Sequence, residues 1–401
     1  MRGSTRARIA LAVIAVGACA LAATAAARTH ASAAKKPIVI GWAHDSTGPM
    51  APFDGPALAA AQIEVAKINA KGGVLGSKIV LRTCDTQGDN AAVSAACAAK
   101  LISGGAKIIF TTCDVDLAAP VVQASINKGL LTIAPCIGTD QMGPKRFGVK
   151  GKLAFSFGNV AQDEGSAMAQ YAISRGWKTA DLATDNVIVY FKDIVAAFKV
   201  RFEQLGGKVV DEETYQDPTY HGNNVNDAVT RINQHPAAVI VTSTAGAFGA
   251  LAPLITGLRT LGNNTPILNS WAGDGTYWLP TSPKVTNYFF LTYANAFGQD
   301  PVSSINTLAA TIKAGTGGFI TGPSAIDGVA TAIRRAHGSL NGAKLAAVMQ
   351  KFHNVPTLSG LVSFSPKLHS VFGRAYRIIE INDNTPKELG LITAKKVVTL
   401  P

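Results

Sequence analysis

One stretch near the amino terminus, STGPMAPFDGPALAAAQIEVAKINAKGGVLGSKIVL from Ser46 to Leu81, does most to restrict what this chain can fold into. Ahead of it, Ile38 to Trp42 is an apolar run of strand length, broken by Asp45-Ser46-Thr47-Gly48-Pro49. Leu58, Ala61, Val65 and Ile68 then recur at helical spacing, with Gln62, Glu64, Lys67 and Lys71 mostly on the opposite face. Gly72-Gly73 stops that helix, and Lys78 to Thr83 reads as a second strand. Strand, helix and strand in such close order imply a parallel pair, because parallel strands need a crossover connection.

The alternation continues. Helices are predicted at Asn90 to Ile102 and Leu117 to Lys128, with strands at Lys107 to Thr111 and Leu130 to Ala134. Leu153 to Gly158 is expected to be a strand crossing to a second set of like plan. That set has strands at Thr179 to Ala183, Lys208 to Tyr215, Ala237 to Thr242 and Pro266 to Asn269. Its helices are Asp163 to Arg175, Lys192 to Leu205, Val225 to Gln234 and Phe248 to Leu261. A return strand, Val285 to Tyr293, precedes helices at Val302 to Ala314, Ser324 to His337 and Gly342 to Phe352. The late runs Gly360 to Ser365 and Arg374 to Ile381 are expected to close the second lobe. The fold class is therefore α/β, with two Rossmann-like, doubly wound lobes joined by a multi-strand hinge. Residues 35–153 with 294–357 form the expected N-terminal lobe, and 154–293 with 358–401 the C-terminal lobe. No Ser- or Gly-rich spacer separates two independent domains.

Residues 1–34 read as a signal peptide and not as fold. Arg2, Arg6 and Arg8 form a basic start, Ile9 to Ala27 an apolar run rich in alanine, and Ala31-Ser32-Ala33 a cleavage site. Two alternatives stay open: an uncleaved anchor, and lipidation at Cys19, since VGAC (Val16 to Cys19) loosely resembles a lipoprotein box. The expected location is periplasmic or cell-surface. Removing Arg2, Arg6, Arg8 and Arg28 takes the formal charge from +12 to +8. That excess is spread thinly, with no basic block and no arginine–aromatic interleaving, so no nucleic-acid partner is expected.

Discounting Cys19 leaves Cys84, Cys97, Cys113 and Cys136, an even number that favours disulfides in an exported chain, with three pairings possible. No CxxC pair and no histidine at ligand spacing suggests a metal, and no cofactor motif is present. GxSxG, Walker A, HExxH and a GxGxxG after the first strand are all missing, so nothing argues for a catalytic residue. In parallel sheets, ligands bind beyond the carboxyl ends of strands. The loops to read are then His44 to Gly55, Cys113 to Asp116, Pro135 to Gln141, Asp185 to Asp193, Ser243 to Gly246 and Asn269 to Trp278.

The Ser46 to Leu81 stretch resembles the opening of the branched-chain amino-acid type of periplasmic binding protein, the type I solute-binding fold of ABC importers. TGP, a short aromatic-bearing loop, a helix ending in INAKGG and then GSKIVL carry the likeness. YFKDIVAAFKVRFEQLGGKVV, Tyr190 to Val210, is similar to the family's second-lobe strand–helix–strand unit. The likeness covers Lys35 to about Ser282 and rests on topology beyond that. It implies a monomeric clamshell that closes on one small polar organic solute, an amino acid or a related compound, and hands it to a membrane permease. No reaction is implied. A clamshell feeding a signalling receptor and an exported α/β enzyme are the alternatives.

The resemblance also implies site residues. Phe53 and Tyr190 fall where the family places ligand-packing aromatics. Gly138 and Thr139 fall where it offers N–H and hydroxyl donors to a ligand carboxylate, and Asp274 where it puts an acidic partner for a ligand amino group. Thr244, in the loop after Ala237 to Thr242, completes the expected set. One departure stands out: CDVDLAAP places Asp114 and Asp116 where the family has small hydroxyl residues. Asp116 reads equally as the N-cap of the helix from Leu117. An aspartate facing the cleft would instead call for a cation, amide or hydroxyl on the ligand. In this topology Cys113 and Cys136 end neighbouring strands, and Cys97 lies on the helix after Cys84. The family fold therefore favours the pairings Cys84–Cys97 and Cys113–Cys136.

Overall fold

The computed structural model describes residues 35–216 and 225–400. The signal-peptide reading and the Cys19 lipidation reading both fall on residues outside these.

The first sheet is built by β1 (Ile38–His44), α1 (Ala51–Ala70), β2 (Ile79–Asp85), α2 (Ala91–Ser103), β3 (Ile108–Phe110), α3 (Val115–Asn127), β4 (Leu131–Ala134), the short α4 (Pro144–Phe147) and β5 (Ala154–Asn159). The second lobe follows with α5 (Ala161–Ser174), β6 (Thr179–Asp185), α6 (Val189–Gln204), β7 (Lys208–Tyr215), α7 (Val225–Gln234), β8 (Val239–Ser243), α8 (Leu251–Thr260), β9 (Ile267–Asn269) and β10 (Tyr288–Thr292). The chain returns through α9 (Ser303–Ile312), α10 (Thr321–Arg335) and α11 (Gly342–Met349). It ends in β11 (Val355–Thr357), β12 (Gly360–Val362), β13 (Ser370–Val371), β14 (Tyr376–Asn382) and β15 (Thr385–Ile392).

The first sheet has the order β13-β5-β4-β3-β1-β2, parallel throughout. The second has the order β15-β14-β10-β9-β8-β6-β7, with β14 and β15 antiparallel. Each sheet is doubly wound: β1 lies between β2 and β3, and β6 between β7 and β8. A crevice opens where the order reverses, outside the carboxyl ends of the strands. Strands buried on both faces carry the cores, with Ile40, Trp42, Phe110, Ile133 and Phe155 in the first and Val241, Leu268 and Phe290 in the second.

Several elements differ from expectation. Helix α1 starts at Ala51, because Pro52 is preorganised for a first helical turn. Pro56 lies inside the helix and has no N–H to give back to Pro52. The freed Pro52 carbonyl instead accepts the Thr316 hydroxyl at 2.8 Å. Phe53 is thereby a helical residue rather than a loop residue.

The segment expected to cross between lobes is β5, which pairs in register with β4 and stays in the first sheet. The run from Gly360 does not close the second lobe. Val355–Thr357 and Gly360–Val362 form a ribbon of their own, and Phe364 beyond it packs edge-on against Phe155 and Phe157 of the first sheet. Strand β13 then joins that sheet at its edge, so sheet membership crosses the expected boundaries at 153 and 358. Strand β14 does enter the second sheet, and β15, which the sequence reading did not foresee, pairs with it. Disulfides join Cys84 to Cys97 and Cys113 to Cys136, as the topology favoured.

Candidate functional site

The carboxyl end of β3 leads into α3 through Thr111, Thr112, Cys113 and Asp114. This turn is held by aspartates rather than by lysine or arginine. Asp54, on the first turn of α1, accepts the Cys113 N–H at 2.9 Å and the Asp45 N–H at 2.8 Å. Asp45 gathers the N–H groups of Thr47, Gly48, Met50 and Gly88. Asp89 accepts the hydroxyls of Thr86 at 2.8 Å and Thr112 at 3.2 Å. Burial pushes the Asp89 carboxyl up to about 6 and holds that of Asp54 well above the usual carboxylate range. Together with the Cys113–Cys136 disulfide, these bonds fix the strand-end loops of the first lobe to one another.

A cavity between the lobes is lined by Met50, Phe53, Asp114 and Gly138 on one side and by Tyr190, Phe248 and Trp271 on the other. Phe53 meets Trp271 edge-on, with centroids 5.0 Å apart. Trp271 stacks on Tyr293 at 4.8 Å and approaches Tyr190 at 6.4 Å. Gly138 is there because the Tyr190 ring lies against it: a Cβ at that position would sit 2.5 Å from Tyr190 Cε2. The second-lobe wall is held from below by Glu164, on the first turn of α5. One of its oxygens accepts the Trp271 N–H at 2.6 Å and the other the Tyr190 hydroxyl at 2.8 Å. Burial pushes its carboxyl up to about 8.

Asp114 supplies the charge-bearing group of the lining. It is buried and N-caps α3 through Oδ1, which accepts the N–H of Asp116 at 2.8 Å and of Leu117 at 3.1 Å. Burial first, and Asp116 second, push it up to about 7. Asp116 is therefore not the cap. The helix starts at Val115, two positions before the expected Leu117, and the capping role moves back with it. Asp116 instead pairs with Arg146 at 2.6 Å and accepts the Val189 N–H of α6 at 2.8 Å.

Three expected contacts lie elsewhere. The Thr139 hydroxyl accepts the Gln141 N–H, and its carbonyl accepts the Ser370 hydroxyl. The Thr244 hydroxyl donates to Asp185 at 2.8 Å. Asp274 Oδ2 accepts the Thr292 hydroxyl at 2.6 Å and the Gly317 N–H at 2.5 Å, which ties β10 to the segment just before α10. None of the three lines the cavity. The structure thus brings Phe53, Asp114, Gly138 and Tyr190 together and adds Trp271, Phe248 and Glu164, which the sequence reading missed. Trp271 follows β9 by two residues, inside a loop already singled out for its position, so the signal was present.

A family model described as periplasmic binding protein matches residues 37–386. The chain belongs to the periplasmic binding protein family. Within it, Leu/Ile/Val-binding protein homolog 3 of Brucella melitensis is 24% identical over 341 residues, covering 84% of this chain and 89% of that protein. The solved structure of the branched-chain amino acid transporter substrate-binding protein LivJ from Streptococcus pneumoniae, in complex with isoleucine, superposes with a TM-score of 0.73 at 19% identity. It covers 89% of this chain and 99% of its own. A solute-binding protein of an ABC transporter from Rhodopseudomonas palustris, in complex with 3,4-dihydroxybenzoic acid, has a TM-score of 0.72 at 16% identity, covering 90% and 98%. The two-lobed α/β fold is that of this family, whose members are binding proteins rather than enzymes. Membership fits the cavity, where an aromatic contact joins the two lobes.

Proposed function

We propose that this protein is the exported solute-binding component of an ABC importer, which holds one small organic solute between its lobes and delivers it to a membrane permease. The observation that carries this reading is the contact of Phe53, from the first lobe, with Trp271, from the second, beside the buried Asp114. A solute that separates those rings touches both lobes at once, which is the condition for binding to bias a hinge.

The lining also supports a solute class. Flat and apolar side chains dominate, no lysine or arginine is among the lining residues, and the polar group is an aspartate with one oxygen outside the helix cap. That environment suits a solute with an apolar or aromatic body and an ammonium, amide or hydroxyl head. Apolar α-amino acids fit this description, and so do hydroxylated aromatic acids whose hydroxyl faces Asp114. Isoleucine and 3,4-dihydroxybenzoate, the ligands of the two structural relatives, represent the two kinds.

The test is a melting screen with leucine, isoleucine, phenylalanine, 3,4-dihydroxybenzoate, urea and spermidine, followed by calorimetry on any hit. A bound solute raises the melting temperature by mass action. The expected result is one-to-one binding of an apolar amino acid or hydroxylated aromatic acid, recovered unchanged. Tight binding of spermidine alone would refute the proposed solute class, and turnover of a solute would refute the transport role.

A further inference from the structure

On the outer edge of the second lobe, away from the cleft, a second group of side chains stands out. Asp181 lies near the amino end of β6, paired in register with Asp211 of β7, and Ala183 is paired with Glu213. Side chains alternate along a strand, so Asp181, Asp211 and Glu213 share one face of the sheet. Helix α7 covers that face through Val229 and Ile232, and His235 follows its last turn. Asp181 is fully buried, and neither of its carboxylate oxygens has a hydrogen-bond partner. Oε1 of Glu213, itself almost fully buried, has none either. Donor atoms of Asp181, Glu213 and His235 all lie within 4.8 Å of one another. Nδ1 of His235 is 2.5 Å from Asp211 Oδ2 and 3.9 Å from Glu213 Oε1.

We propose that Asp181, Asp211, Glu213 and His235 bind one divalent metal ion of the zinc or manganese type. Charge carries the argument first. Three carboxylates face one permanent cation, the Arg231 guanidinium on the far oxygen of Glu213, with the His235 imidazole beside Asp211, so the cluster has more acidic groups than fixed positive charge. A buried carboxylate with no partner is costly, so burial and the neighbouring Glu213 and Asp211 push Asp181 up to about 7. A divalent cation removes that cost without changing the packing. Geometry is the second argument. Ligands held at about 2.0–2.2 Å from a tetrahedral ion stand about 3.4 Å apart, so Asp181, Glu213 and His235 need only draw together from within 4.8 Å, while the His235–Asp211 pair opens from 2.5 Å. Three oxygen donors and one imidazole nitrogen suit borderline ions better than copper(I) or calcium. The His235 side chain is 44% exposed and provides an entry path from solvent. The site lies about 13 Å back along β6 from the strand ends that face the cleft, by the strand rise of about 3.3 Å per residue.

The test uses the full chain without a histidine tag, stripped with chelator and titrated calorimetrically with zinc, manganese and magnesium chlorides. The expected result is one zinc ion bound with a Kd of about 10 µM or tighter, manganese more weakly, magnesium weakest, and a zinc-dependent rise in melting temperature. His235→Ala changes an exposed side chain and should keep the fold while weakening zinc at least about tenfold. Asp181→Asn should abolish the zinc-dependent rise, and neither variant should change the affinity for the solute. Zinc binding unaltered by both substitutions would place the ion elsewhere and overturn the proposal. So would a wild-type protein that binds no zinc but becomes more stable on Asp181→Asn, which would mean that a shared proton, not a metal, satisfies the cluster.

Discussion

Asp116 Oδ2, in the first lobe, accepts the N–H of Val189, the first residue of α6 in the second lobe, at 2.8 Å. The residue before Val189, Ile188, has no side chain able to cap a helix. Helix α6 therefore draws an N-terminal acceptor from across the cleft, and an anion there also meets the positive end of the helix dipole. The bond exists only while the lobes are together. It belongs to the closure equilibrium more than to the stability of either lobe. Asp116→Ala should therefore weaken solute affinity about tenfold, equivalent to about 1.4 kcal/mol, mostly through a faster off-rate. It should also raise the radius of gyration in solution scattering, with little change in melting temperature. An unchanged off-rate would assign Asp116 to its Arg146 pair alone.

Trp271 is the largest side chain in the cavity wall and touches Phe53, Tyr190 and Tyr293. Buried tryptophans at the centre of an interface carry a disproportionate share of binding energy. Trp271→Ala should reduce solute affinity about a hundredfold and also destabilise the fold, because it leaves a hole beside Tyr293. Trp271→Phe separates the two effects: it should keep most of the melting temperature while losing about tenfold in affinity. The chain has four tryptophans, and only Trp271 lies between Phe53 and Tyr190. A fluorescence change on solute addition should disappear in both variants. Its persistence in both would move the solute away from this wall.

The order of strands and helices was legible because each element carries its own period, and the lobe plan follows from the rule that parallel strands need crossovers. What local pattern could not supply was the partner of each late strand. The runs Gly360 to Ser365 and Arg374 to Ile381 both read as strands, yet the first forms a separate ribbon and the second enters the second sheet. In the site, Phe53, Tyr190 and Gly138 could be placed from the family likeness. Asp114 and Asp116 could not be told apart, since a shift of the helix start by two residues exchanges cap and latch. Asp274 was a reasonable expectation by position; its Oδ2 accepts both Thr292 and Gly317, and the residue does not line the cavity. Glu164 was invisible as a site residue. A glutamate in the first turn of a helix is common for dipole reasons alone, and only the tertiary fold brings it beneath Trp271 and Tyr190.

Glu164 and Asp114 make the stability of this protein depend on pH. Burial raises both in the folded state, to about 8 and about 7, from ordinary carboxylate values in the unfolded chain. Between those limits the folded protein holds more protons than the unfolded one, so stability falls as pH rises. The contribution is fully present below about pH 4, is lost progressively through pH 7–8, and levels off above. Glu164→Gln keeps an acceptor for the Trp271 N–H and an amide for the Tyr190 oxygen while removing the charge. Its melting temperature should match wild type near pH 5 and exceed it by a few degrees at pH 8.5. Equal curves for the two proteins across that range would mean that Glu164 titrates normally.

The two disulfides should differ in what their loss does. Cys84–Cys97 closes a loop with a sequence separation of 13 and ties β2 to α2, while Cys113–Cys136 closes one of 23. By loop closure alone each contributes about 3 kcal/mol, with little difference between them. Position separates them. Cys113 lines the cavity, and its N–H is held by Asp54, so the second bridge fixes the loop carrying Asp114 to the loop carrying Gly138. A Cys84→Ser and Cys97→Ser double variant should lower the melting temperature by several degrees and leave solute affinity unchanged. A Cys113→Ser and Cys136→Ser double variant should lower it by a similar amount and also weaken the solute at least about fivefold, because the binding loops then pay for their ordering on closure. Equal affinities in the two double variants would show that the hydrogen bonds of Asp54 and Asp45 are enough to hold the first-lobe wall.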